Sequence, residues 1–321
     1  LVLIGLTVGV CSHAADEQWL MYRTSPEMSR IVGLGSRMTG AKATTDAPEG
    51  VSLPKLNHDH PVFAKWKTPM AATGHVWLAF DREGKYGQLN RLYADRDCDG
   101  DLADEEPIKP SNTSSYSTEF GPVPILFTTA DGLVTYHLGV QLYTYDETPR
   151  VYLSSKAWYE GKVTIGNKEW RCLLMDYNGN GTFNDTGSEL GSLDRVRLAP
   201  VGKDELETYF AGELVQLEGA YYHPTVAQDG AFISFEPAGN VATGTVRLSG
   251  KVNTFSAAGP KGLFHFQPND SGVVTLPTGR YRSYDWIIER KDDKGALWKA
   301  DAGTASGWFV VREDAETELS V

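Results

Sequence analysis

Seven of the twelve residues from Asp95 to Glu106 carry carboxylates, and one glycine stands near their middle. Counted from Asp95, acidic side chains fall at positions 1, 3, 5 and 7 (Asp95, Asp97, Asp99, Asp101), Gly100 at 6, the apolar Leu102 at 8 and Glu106 at 12. The run fits the pattern D-x-[DN]-x-[DN]-G-x5-E without exception. Alternate residues of a chain curling round a point direct oxygens inward, the glycine permits the sharp turn, and a bidentate glutamate closes the shell. Position 7 ordinarily offers its backbone carbonyl, so Asp101 is expected to act through its main chain. Without a cation such crowding is costly, because two unit charges 4 Å apart repel by about 4 kcal/mol at an effective dielectric near 20. A ligand set of hard oxygens, with no inward His or Cys and with many protein ligands, selects Ca2+ over transition metals and over Mg2+. The plainer alternative is a solvated acidic turn.

A second stretch, "DYNGNGTFND" at 176–185, repeats the spacing with Asp176, Asn178 and Asn180 at 1, 3 and 5, Gly181 at 6, Thr182 at 7 and Phe183 at 8. Position 12 is Gly187, so Asp185, or Glu189 two places late, has to close the shell. Neutral amide ligands lower the charge, and weaker calcium binding is expected. Asn-Gly repeats are also ordinary turn formers.

Both stretches resemble the EF-hand-type calcium loops of dockerins and other secreted bacterial proteins. The resemblance implies calcium ligation by Asp95, Asp97, Asp99, Asp101 and Glu106, and by Asp176, Asn178, Asn180, Thr182 and Asp185. It does not extend to flanking helices, since Pro107 and Pro110 obstruct an exiting helix and "EWRCLLM" before the second loop reads as a strand. A structural staple is therefore expected, not a helix-opening switch.

Other chemistry-bearing residues are fewer. His58, Asp59 and His60 sit together in "NHDH", yet two imidazoles fall short of the three protein ligands of a catalytic zinc. There is no Gly-x-Ser-x-Gly elbow and no His-Glu-x-x-His helix. Aromatic clusters at Trp158-Tyr159, Tyr221-Tyr222 and Tyr281, Tyr284, Trp286 could stack on sugars or pack a core.

The elements that must position these residues read as strands. "HVWLAFD" at 75–81 is an apolar, aromatic run, and hairpin turns are expected at Asp131-Gly132, Gly166-Asn167 and Asp229-Gly230. At most a short helix is expected over 84–94, and a better one over 203–214, where Leu206, Phe210 and Leu214 recur at i, i+4 and i+8. Residues 15–60, rich in Gly, Ser, Thr and Pro, read as an extension wrapping the fold loosely. A β-rich domain carrying the calcium loops follows over 61–216, then a β-sandwich over 217–321. Within the latter, "LPTGRYR" at 276–282 resembles the Pro-x-Gly-x-Tyr turn of secreted immunoglobulin-like and carboxypeptidase-regulatory-like sandwiches, which implies a fold and no activity. The fold class expected is mostly β: an antiparallel β domain with inserted calcium loops followed by an immunoglobulin-like β-sandwich.

Length, charge and cysteine content set the frame. The chain has 321 residues and a formal charge of -12, which repels phosphate backbones and anionic lipid and argues against nucleic acid as a partner. It opens with an apolar run and the small-x-small pattern Ser12-His13-Ala14, the tail of a secretory signal peptide over 1–14. No later stretch approaches the roughly 18 apolar residues of a membrane span. Cys98 and Cys172 then remain, and in an oxidising compartment a bridge between the two loops is expected. These features together predict a secreted, periplasmic or cell-surface calcium-binding module without catalysis, whose partner is a cell-surface glycan or envelope protein. The alternatives are a carbohydrate-binding protein using exposed aromatics and a calcium-dependent hydrolase.

Overall fold

The structure, a computed structural model, describes residues 16–320 apart from 85, 131, 145–147, 250–251 and 304–306. The leader, its cleavage point after Ala14, and Asp131 lie outside the described residues. The chain is almost entirely β; among the described residues the only helix is one turn, Met28–Val32.

Four antiparallel sheets enclose the larger core. The longest hairpin pairs Ser117–Thr129 with Gly132–Tyr143, and Arg150–Ser155 extends it. Period-2 alternation turns Val123, Ile125 and Phe127 inward from one strand, and Tyr136 and Leu138 from the other. Val140 and Leu142 continue that alternation, and a register shift opposite Leu138 and Val140, with an extra residue on the facing strand, turns Phe120 inward as well. Each such side chain removed from water contributes about 1.5–3 kcal/mol. A second sheet runs through Ala157–Ile165, Lys168–Met175, Arg195–Pro200 and Glu207–Phe210. A third runs through Val62–Lys67, His75–Asp81 and Arg91–Ala94, and a fourth joins Val215–Leu217, Ala220–Val226 and Phe232–Pro237.

Residues 16–44 are woven into all four sheets, which corrects the expectation of a loose wrap. Gln18–Trp19 pairs with Phe232–Pro237, Met21–Thr24 with Ala157–Ile165, Thr39–Ala41 with Arg150–Ser155, and Ala43–Thr44 with Val62–Lys67. Both expected helices are likewise replaced by strands, Arg91–Ala94 and Glu207–Phe210. In the second case pairing to Arg195–Leu198 buries Tyr209 and Phe210 together, a gain that outweighs the weak helical preference of the segment.

A separate core lies between two further sheets. One orders Val273–Pro277, Thr243–Ser249 and Glu316–Ser320, the last two running parallel. The other centres on the long strand Gly279–Lys291, flanked by Thr254–Gly259 on one side and by Leu297–Ala302 and Trp308–Val311 on the other. Phe255, Phe264, Leu276 and Tyr281 fill the space between them. A hairpin spans residue 216; Leu214 already lies in the smaller core, while Val215, Leu217, Ile233 and Phe235 still lie in the larger one. A small cluster of Leu190, Leu193, Phe210, Ala258 and Leu263 joins the two bodies.

Candidate metal centre

The first loop leaves the strand Arg91–Ala94 at the point where the Asp95 N–H donates to the Trp77 carbonyl at 3.1 Å. It returns through Ile108, whose N–H donates to Leu92 O at 2.7 Å, so extended chain flanks the loop on both sides. Leu102 is the anchor. It is fully buried among Phe63, Ala79 and Tyr93, and its N–H donates to Ser52 O at 2.9 Å. Gly100, at φ +85°, makes the turn that an L-residue adopts only at a cost.

Within this ring the carboxylate oxygens of Asp95, Asp97 and Asp99 lie within 4.8 Å of one another, the only such group of three or more acidic, His or Cys ligands among the described residues. Asp97 and Asp99 are exposed, but Asp95 is 2% exposed. Asp95 Oδ2 accepts the Gly100 N–H at 3.2 Å, and Oδ1 is buried with no hydrogen-bond partner. An unpaired buried carboxylate oxygen costs on the order of 1–3 kcal/mol or more. Burial, with Asp99 and Asp97 adding repulsion, pushes this carboxyl up to about 6. Asp99 Oδ1 accepts the Asp101 N–H and Asp101 Oδ1 accepts the Ala103 N–H, each at 2.7 Å. The Asp101 side chain is thereby spent on the turn itself. Glu106 is exposed and outside the triad, whereas Glu105 is turned inward, where its two oxygens accept the Arg96 backbone N–H at 2.5 Å and Nε at 2.7 Å. That pair clamps the two ends of the loop.

The second loop connects Lys168–Met175 to Arg195–Pro200, whose first rung pairs Met175 with Arg195. Asp176 is fully buried and well supplied: Oδ1 accepts Gly179 N–H at 2.6 Å, and Oδ2 accepts Gly181 N–H at 2.7 Å and the Tyr136 hydroxyl at 2.8 Å. Asn178 and Asn180 each donate a side-chain N–H to Asp185 Oδ2 at 2.8 Å, and Thr182 donates its hydroxyl to Asn180 Oδ1 at the same distance. The ligand-type residues thus converge on Asp185, while Glu189 is exposed.

Sequence spacing missed a third carboxylate here. Asp194 is fully buried and accepts the Tyr177 N–H at 2.9 Å and the Asp185 N–H at 2.8 Å. Burial pushes Asp176 up to about 7 and holds Asp194 well above the usual carboxylate range, with Asp176 and Asp185 nearby adding to the latter. Arg195 stacks its guanidinium between Tyr177 and Phe210 at 4.0 and 4.2 Å and donates to Leu190 O at 3.0 Å.

The two loops therefore differ in chemistry. The first gathers three carboxylates, one of them buried with an orphaned oxygen, which suits a divalent cation. The second satisfies its polar groups internally, with Tyr136 and backbone N–H groups already holding its central carboxylate. Cys98 and Cys172, expected to bridge the loops, are both free thiols. Cys172 is buried in the larger core, and burial pushes both thiols up to about 12.

The remaining candidates dissolve into packing. His58 accepts the His60 N–H on Nδ1 at 2.8 Å, and its own N–H donates to Asp81 Oδ1 at 2.8 Å. Trp158, Tyr159 and Tyr281 are buried, and Tyr221, Tyr222, Tyr284 and Trp286 are half-buried. No protein-family model matches the chain, and no curated protein or solved structure shows significant similarity to it.

Proposed function

We propose that the protein is an exported calcium-binding module, a β-rich scaffold without catalysis in which the loop 95–106 takes one Ca2+ that ties its strands together. Asp95, Asp97 and Asp99 are the side-chain ligands, Asp101 acts through its main-chain carbonyl, and Glu106 closes the shell. Asp176, Asn178, Asn180, Thr182 and Asp185 form a second and weaker site, since an ion there has to displace the internal hydrogen bonds that Asp176 and Asp185 accept. The observation that carries the reading is the buried Asp95, whose Oδ1 has no partner, grouped with the carboxylates of Asp97 and Asp99. A solvated acidic turn ordinarily leaves its carboxylate oxygens to water, so a buried, unmatched one calls for a partner.

The apolar run at the start of the sequence supports export to the periplasm, the cell surface or the medium. The two-sheet body over 243–320, with its first and last strands paired in parallel, supports an immunoglobulin-like assignment. A cell-surface glycan or an envelope protein is the partner that suits such a scaffold. The decisive experiment is a thermal melt of chelator-stripped protein titrated with CaCl2. A calcium-dependent rise in Tm that is lost in Asp95→Asn supports the reading. An unchanged Tm, with no calcium in the purified protein, ends it.

A further inference from the structure

A cleft of about 870 Å³ opens between the N-terminal strand Thr39–Ala41, the edge of the strand Val62–Lys67 and the apex of the second loop. Arg37, Lys42, Lys65 and Lys67 converge on it, and no acidic residue lines it. This is an unusual concentration in a chain whose formal charge is -12. None of the four makes an ion pair among the described residues; Arg37 donates to the Gly191 carbonyl at 3.2 Å, and Lys65 lies 4.5 Å above the Trp77 ring. Lys65 and Lys67 share one face of their strand, opposite Trp77 and His75 in the register of the sheet.

The wall contributed by the second loop is Asn178, Gly179 and Asn180, and where the two asparagines stand the first loop has Asp97 and Asp99. Amides there keep the cleft wall itself neutral, while Asp185, which does not line the cleft, accepts from both of them. Thr39 and Ser192 add hydroxyls, and Trp77 adds an indole. The volume falls within the roughly 300–1,000 Å³ typical of small-ligand sites. Focused positive charge, neutral hydroxyl and amide groups and an aromatic wall together match a ligand with negative charge, many hydroxyls and apolar ring faces.

We propose that this cleft binds an anionic carbohydrate, a short chain of hydroxylated rings bearing carboxylate or sulfate groups. The assignment does not depend on calcium in the loop 95–106.

The test is calorimetric titration of the full chain with galacturonic acid oligomers, with a sulfated galactan oligomer, with a neutral galactan oligomer of equal length, with inorganic sulfate and with single-stranded RNA. The expected result is saturable binding of a charged oligosaccharide, no binding of the neutral one, and an affinity that falls as salt shortens the Debye length toward about 8 Å at physiological ionic strength. Which of the two charged oligosaccharides binds identifies the anionic group. The Lys65→Ala/Lys67→Ala variant, confirmed as folded by an unchanged Tm, is expected to bind about ten-fold more weakly or worse, while Lys65→Arg/Lys67→Arg retains most of the affinity. Failure of both charged oligosaccharides to bind overturns the proposal, as does equal binding of RNA or sulfate, or binding indifferent to loss of the two lysines. Loss of the calcium-induced rise in Tm leaves it standing, so the two readings fail separately.

Discussion

The indole N–H of Trp66 donates to the backbone carbonyl of Gly179 at 2.7 Å, joining the strand Val62–Lys67 to the apex of the second loop. The same ring stacks on Tyr136 at 5.3 Å, and Tyr136 in turn donates to Asp176. A single aromatic thus fixes the loop at its apex and, through its neighbour, at its central carboxylate. Trp66→Phe keeps most of the apolar volume and removes the donor, leaving a buried carbonyl unmatched. A loss of about 1–3 kcal/mol is expected in urea unfolding, with no change in the calcium-induced stabilisation at the other loop.

Asp95→Asn removes one of three crowded charges along with the proposed metal ligand. The metal-free variant is expected to be at least as stable as the metal-free parent. With calcium at a hundred times its Kd, the parent gains about 2.7 kcal/mol and the variant almost nothing. Paired thermal melts with chelator and with calcium read both terms.

The pH dependence of the metal-free protein has a definite sign. Asp95 at about 6 and Asp176 at about 7 hold their protons more tightly when folded than at the unfolded value of 3.8. Their contribution is therefore most favourable below the unfolded value, and it is lost as pH rises through 6 and 7. Chelator-stripped protein is expected to lose stability across that window, and Asp176→Asn to flatten the slope. Calcium competes with the proton at Asp95, so its stabilising effect is expected to grow over the same range. Urea midpoints at stepped pH, with and without calcium, check all three.

Gly100 and Gly181 occupy equivalent turn positions in the two loops at φ +85° and +96°, but in different surroundings. A Cβ at Gly100 meets nothing within 4 Å, while one at Gly181 lies 2.8 Å from Thr68 Oγ1 and 3.3 Å from the Trp66 ring. Gly100→Ala is expected to cost about 1–2 kcal/mol, the backbone penalty alone. Gly181→Ala is expected to cost clearly more, because the buried ring has to shift as well. Equal losses in denaturant titration would contradict the close packing of the second loop.

Cys98 and Cys172 are expected to resist alkylation at pH 8 in the native state, since thiols pushed up to about 12 present little thiolate. In denaturant without reductant both are expected to react fully. A bridged pair would stay silent until reduced, which peptide mapping would reveal.

The strands and the first loop are legible in the sequence because their signals are local. A period-2 pattern around Gly166-Asn167 suffices for the hairpin of Ala157–Ile165 and Lys168–Met175, and twelve consecutive residues suffice for the acidic ring. Asp194 is not legible, because it reaches Asp185 and Tyr177 only once Met175 pairs with Arg195 across the closed hairpin. The helix expected over 203–214 fails for a related reason. Leu206, Phe210 and Leu214 have helical spacing, but Phe210 belongs to the small cluster joining the two bodies and Leu214 to the smaller core. The basic cleft is equally invisible, since Arg37 and Lys42 meet Lys65 and Lys67 only through the strands of residues 39–44.

The parallel pairing of Thr243–Ser249 with Glu316–Ser320 also governs how the smaller body responds to tension. Pulled apart at residues 243 and 320, the two strands slide along each other in opposite senses. Their rungs then bear the load together in shear instead of parting one at a time.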